Sequence, residues 1–400
     1  MNKRTQFTSL LFIIVASVFT SCTDDLYSKI NEEVTLETNS ISGHIYSLVR
    51  YSDKLYTSNG YLYEKTAASS SNTGLYNKQW INLTRTSSPF GNKIVSYLAS
   101  DSTYLYAYVY QLTEDDDGYN SFDGDGATKQ IYYTSDGKTW NYISDETMDT
   151  LLGATYTSEN HTEGTDGITN IKIIFSNNAT TSSNRNAYAR LYSTTDSAYH
   201  VYKLNGGSAP SLVDDDTNGA GAGSNTVTYY NGADYFSDYS AITSNDKYIY
   251  YSKGGDTLYY ANQWYSTNGF TLNGTETGID ENEGSILSLA VTKDFILMGT
   301  DEGIAHVALS DDGSPSDGSS DFETNETSTL TSSYEVHLVF ALDPTANEYE
   351  TDLYGTTDAD GPNIDWEEVG LWAYYPNRTE DTTYGTWNKD GTADDANSGN

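Results

Sequence analysis

The chain has 400 residues and a formal charge of −37, with 57 acidic side chains against 20 basic ones. Such a surface repels nucleic acid and anionic headgroups, so nucleic acid is excluded as a partner. With 37 tyrosines, 11 phenylalanines and 6 tryptophans, the chain is too aromatic for disorder, and these residues suit the pleated surface of β-strands.

In chain order, Lys3 and Arg4 precede an apolar run over 7–19, and the small Thr20 and Ser21 lead to Cys22, the single cysteine. Charge, apolar run, small residues and a cut is the order of a secretory signal. The run falls short of the roughly 20 apolar residues that cross a bilayer. A lone thiol is poorly suited to an oxidising compartment, so lipidation accounts for Cys22 better than chance does. The segment Phe19-Thr20-Ser21-Cys22 resembles the lipobox of bacterial lipoproteins, in which the cysteine sulfur takes a diacylglycerol. Several acyl chains anchor firmly where one does not. With Asp24 and Asp25 close behind, the start resembles surface lipoproteins of Bacteroidota. That resemblance implies a protein held in the outer membrane through lipid at Cys22 and facing outside the cell.

The domain reading follows. Residues 1–21 are the signal peptide, and 22–40 an acidic tether in which the alternating 33–37 is a candidate closing strand for the last sheet. Residues 41–391 are the folded region, and 392–400 a disordered tail. A single unit recurs through the folded region: a short apolar strand, a turn with Asp, Asn or Ser, a tyrosine-rich strand, a glycine turn and further strands. Units open at 44–49, 94–98, 171–175, 239–242, 286–291 and 336–340. Second strands follow at 54–56, 104–109, 248–251, 295–298 and 353–354, with 189–192 a looser match.

Two motifs bear on the architecture. Gly299-Thr300-Asp301-Glu302-Gly303 joins two strands, with Gly299 and Gly303 permitting a tight turn and close packing; the pattern resembles turns of β-propellers. The segment Tyr133-Thr134-Ser135-Asp136-Gly137-Lys138-Thr139-Trp140 resembles the Asp-box of BNR, sialidase-like propellers, of general form Ser-x-Asp-x-Gly-x-Thr-Trp, with one residue missing between Ser135 and Asp136. Asp136 and Gly137 make the hairpin turn, and Trp140 packs from the outer strand. The resemblance implies an all-β propeller of about six four-stranded blades; a pair of two-sheet sandwiches is the alternative. In that family the box is a structural turn remote from the active site, so it supports the fold and no activity.

The chemistry-bearing residues are few. Five histidines (His44, His161, His200, His306 and His337) show no zinc-site spacing. The acidic stretches at 115–118 and 123–126 suit calcium in composition but fail the EF-hand spacing, so no cofactor is expected. No nucleophile motif is present. Tyr104, Tyr106 and Tyr108 alternate onto one face of a strand, and Trp264-Tyr265 and Trp372 with Tyr374 add aromatic density. Such rings stack on sugar faces and offer hydroxyl tips, which makes these seven the candidate ligand-binding residues; filling space between blades is the competing role for about two thirds of the tyrosines. The functional expectation is a lipid-anchored surface binding protein without catalysis, its ligand a glycan or a partner protein. The alternative is a glycan-active hydrolase or lyase on the same scaffold.

Overall fold

A computed structural model describes stretches of the chain between 41 and 389, chiefly 43–66, 80–83, 93–111, 128–144, 168–176, 185–193, 198–212, 241–262, 284–316, 334–357, 369–375 and 387–389, with short gaps. The signal peptide, Cys22, the candidate closing strand at 33–37 and the tail at 392–400 lie outside the described residues.

Among these residues the chain forms six four-stranded antiparallel sheets, over 47–82, 94–142, 168–212, 242–278, 286–321 and 336–389. Each is built from consecutive strands; only the second carries an added hairpin, Thr113–Glu114 with Asn120–Ser121, between its second and third strands. The first strands are Ser47–Tyr51, Ile94–Ser100, Ile168–Ser176, Ile242–Ser244, Ile286–Val291 and Val336–Ala341. Each lies within a few residues of an expected opening. First strands pack side by side between sheets one and two, two and three, four and five, and five and six, and the first strand of the last sheet packs on that of the first. Among the described residues five hydrophobic clusters fill the seams between sheets one and two, two and three, four and five, five and six, and six and one. This succession of small antiparallel sheets packed side by side is that of a β-propeller.

Four of the tyrosines share one place in the fold. Second strands open on an apolar residue followed by tyrosine: Leu55-Tyr56, Leu105-Tyr106, Ile249-Tyr250 and Leu353-Tyr354. Successive side chains of a strand point to opposite faces, and here both faces are buried. Leu55, Leu105 and Leu353 pack against the preceding sheet. Tyr56, Tyr106, Tyr250 and Tyr354 point to the following one, and none is more than 2% exposed. Each ring reaches the third or fourth strand region of the next sheet. The Tyr56 hydroxyl lies where a Cβ on Gly137 would fall, 2.5 Å away. Tyr106 Oη accepts from Gly206 N at 2.9 Å and donates to Asp101 Oδ2 at 2.8 Å. Tyr250 Oη donates to Gly313 O at 2.6 Å. Tyr354 faces Lys65, whose Nζ lies 5.8 Å from the ring.

In the third sheet the same slot holds Ala187-Tyr188, opposite Ser176 and Phe175, at the start of a strand, Ala187–Ser193, that contains the looser match at 189–192. In the fifth it holds Ile296-Leu297. At the seam between sheets five and six the backbones come closer instead: a Cβ on Gly299 would overlap Val336 O and Ser288 Oγ. Gly299 is thus a packing residue, and Gly303, at φ 114°, is the turn residue. Burial pushes the phenols of Tyr56, Tyr106 and Tyr188 well above the ordinary value of 10.0. Their contribution to stability is therefore complete below that value and is lost as pH rises above it.

The turn at 134–139 closes differently from the sequence reading. Thr134 Oγ1 donates to Asp136 Oδ1 at 2.9 Å and accepts from Gly137 N at 3.0 Å. Asp136 Oδ1 accepts from the backbone of Lys138 at 2.8 Å and of Thr139 at 2.7 Å. Thr134, and not Ser135, supplies the hydroxyl two positions before the aspartate, so the residue missing from the general form lies between Asp136 and Gly137. Ser135 instead offers its carbonyl to Tyr51 Oη of sheet one, at 2.9 Å. Gly137, at φ 70°, takes the left-handed conformation open to glycine. Trp140 is buried against Phe90, ring centroids 5.1 Å apart, in the seam between sheets one and two.

The last and first sheets meet around a buried cation. Lys65 is 3% exposed; its Nζ donates to Tyr375 Oη at 2.6 Å and lies 5.5 Å from the Trp80 ring and 5.1 Å from that of Tyr375. Beside it Leu371 N donates to Ile41 O at 3.0 Å, and Arg50 Nη1 to Leu342 O at 3.3 Å.

Two outcomes follow from these contacts. Tyr106→Phe leaves the Gly206 amide unpaired in a buried seam and is expected to cost about 1–3 kcal/mol in urea unfolding, whereas Tyr61→Phe, on an exposed ring, changes stability by less than about 0.5 kcal/mol. The backbone amides at Thr139 and Lys138 hold the Asp136 carboxyl well below its ordinary 3.8, so the turn's contribution is present above that value and fades as pH falls below it. Thr134→Val is expected to lower the urea midpoint and bring acid unfolding to higher pH, with Ser135→Ala close to the parent in both.

Candidate functional site

Strand direction sorts the propeller's two faces. First strands begin, and second-to-third hairpins turn, on one face; the first-to-second and third-to-fourth hairpins lie on the other, where the tyrosine grips sit. The starting face is stitched by backbone bonds. Gly60 of sheet one pairs with Val95 of sheet two, at 3.1 and 2.9 Å, and Ile286 N donates to Gly255 O at 2.9 Å.

Near their starts the first strands break register: between Val95 and Leu98, at two points between Ile168 and Ile173, between Ile286 and Ser288, and between Val336 and Leu338. In sheet one, Tyr46 N donates to Ser58 O although Ser47 already faces Ser58. An extra residue in a strand re-aims its side chain. Here the residues so placed include Tyr46, Tyr97 and His337.

These side chains meet. His44 is exposed, and Tyr46, Tyr97, Tyr110, Glu335 and His337 are half-buried. Ring centroids are 5.7 Å apart for Tyr97 and Tyr46, 4.7 Å for Tyr46 and His44, and 5.5 Å for His44 and His337. Sheets two, one and six thus contribute one continuous chain of rings. At its end Glu335 Oε1 lies 3.5 Å from His337 Nδ1. Tyr110, on the second strand of sheet two, has its phenol pushed up by burial first and by a hydrogen bond with Tyr46 second, which fixes the Tyr46 ring. The arrangement offers flat faces for stacking and, beside them, imidazole, phenol and carboxylate groups that hydrogen-bond hydroxyls. Among the described residues no group of three or more His, Cys, Asp or Glu is placed to hold a metal ion.

The candidate residues read from sequence lie elsewhere. Tyr106 and Tyr108 are buried between sheets two and three, with Tyr104 packed at the margin of the same cluster. Trp372 and Tyr374 are buried between sheets five and six, the Trp372 Nε1 donating to Thr357 Oγ1 at 2.9 Å. Trp264 and Tyr265, and the acidic stretches at 115–118 and 123–126, fall outside the described residues. The ring chain was not foreseen. Its one sequence signal is positional: His44, Tyr46, Tyr97 and His337 each stand near the start of a recurring unit.

A family model described as the TP013X lipoprotein family matches residues 4–326, well over half of the chain; the sixth sheet lies beyond the match. No curated protein matches the sequence. Among solved structures, a putative gluconolactonase is similar at 8% identity and TM-score 0.40, over 84% of this chain and 90% of that one. The Dos1 propeller is similar at 11% identity and TM-score 0.32, over 84% and 68%. A prolyl endopeptidase structure matches at 9% identity and TM-score 0.40, over 98% of this chain and 55% of that one, so the chain spans just over half of the endopeptidase. At such values these likenesses say nothing of activity.

Proposed function

Because the chain belongs to the TP013X lipoprotein family, we propose that it is a lipid-anchored protein of the outer membrane, facing outward, that binds glycan without transforming it. Cys22 carries the lipid. The Asp24 and Asp25 that follow it favour outward display, and 22–40 is the tether that stands the propeller off the membrane.

The observation that carries the binding reading is the half-buried ring chain from Tyr97 through Tyr46 and His44 to His337. Tyr56, Tyr106, Tyr250 and Tyr354 are sealed inside seams, whereas this row of half-buried rings lies on the face where the first strands start. Rings held in fixed orientation, with hydroxyl and carboxylate tips beside them, suit the alternating apolar faces and hydroxyl edges of sugars.

Cys22→Ala is expected to move the protein from the membrane to the soluble fraction; retention through high-salt and carbonate washes places the anchor elsewhere. For the site, the detergent-solubilised full chain is applied to a glycan array. Replacing Tyr46 and Tyr97 together by alanine is expected to lower retention about tenfold or more, two lost ring contacts at about 0.5–1.5 kcal/mol each. Unchanged retention moves the site away from the ring chain, and release of shortened glycans favours a hydrolase or lyase.

A further inference from the structure

The charge on this face decides which glycans it takes. Glu335 stands at the end of the ring chain, 3.5 Å from His337. The second-to-third hairpin of the adjoining sheet five adds Asp301 and Glu302, and that of sheet four, further round, Asp256, all exposed. Asp301 is held in place by Ser285 N, which donates to its Oδ1 at 2.6 Å, just before a first strand begins. Behind this face stands a chain of formal charge −37.

Resting on the glycan-binding reading, we infer that the site selects neutral sugars and rejects uronates and sulfated sugars, with Glu335 as the residue that discriminates. A carboxylate accepts hydrogen bonds and donates none. It therefore fits adjacent sugar hydroxyls, which donate, and opposes a ligand carboxylate or sulfate, which also only accepts. The surrounding field adds to this at long range, since acids lining one face lower the local concentration of anions.

The test uses the full chain in detergent at pH 7.5 and about 20 mM salt, against neutral oligosaccharides and oligouronates of matched length. Neutral chains are expected to be retained at least tenfold better. Glu335→Gln is expected to narrow that gap about fivefold, the effect of one charge some 4–5 Å away through a largely aqueous medium. Raising salt to about 0.5 M is expected to narrow it further by screening the more distant acids. Equal or better retention of oligouronates by the parent overturns the selectivity while leaving glycan binding intact. A gap unmoved by Glu335→Gln overturns the role given to that residue. Retention of neither class defeats the binding reading itself, and the selectivity with it.

Discussion

One contact organises this propeller: a tyrosine at the start of a second strand, its ring driven between two sheets and placed against the next sheet's third or fourth strand region. Apolar packing alone has no preferred register, and two sheets facing each other across leucines slide with little penalty. A phenol that must find the Gly206 amide or the Gly313 carbonyl has only one. The hydroxyl turns a greasy seam into a keyed one, because a buried polar group left without its partner costs more than the bond itself contributes. Repetition of the key around the axis fixes the pitch between neighbours. It also gives tyrosine, rather than phenylalanine, a reason to stand at 106 and 250.

The seam between the last sheet and the first has the added task of joining distant stretches of the chain, and it is the most heavily furnished. Lys65 has exchanged water for three aromatic faces and the Tyr375 hydroxyl. A buried ammonium is tolerated only when such partners surround it. The backbone bond from Leu371 to Ile41 brings the N-terminal end of the described chain onto the last sheet.

Much of the architecture was legible because its causes are local. Most first strands read as short, mostly apolar runs, and the pair Leu/Ile-Tyr marks second strands in four sheets. In the third sheet the looser match at 189–192 lies within the second strand, Ala187–Ser193, whose opening Ala187 is a weak apolar signal. The turn at 134–139 was misaligned because serine and threonine hydroxyls are interchangeable on paper, while only the folded hairpin shows Thr134 bonded to Asp136. The face where the first strands start was the least legible region. Alternation showed that Tyr104, Tyr106 and Tyr108 share one side of a strand but could not say whether that side meets solvent or another sheet. His44 and His337 come from opposite ends of the folded chain and are joined only by closure, an event with no local trace.

The two faces also differ in how freely they can change. Keys and hairpin turns crowd the one where first strands end, so lengthening a loop there disturbs a neighbour's fit. On the opposite face the second-to-third connections lie clear of every key, and the hairpin at 113–121 shows that whole strands can be inserted there without breaking the sheet behind them. Descendants of such a chain can therefore lengthen that one connection while inheriting the sheet behind it, whereas the hairpins at Gly60 and Gly255 are bonded to the next sheet and have less room to vary.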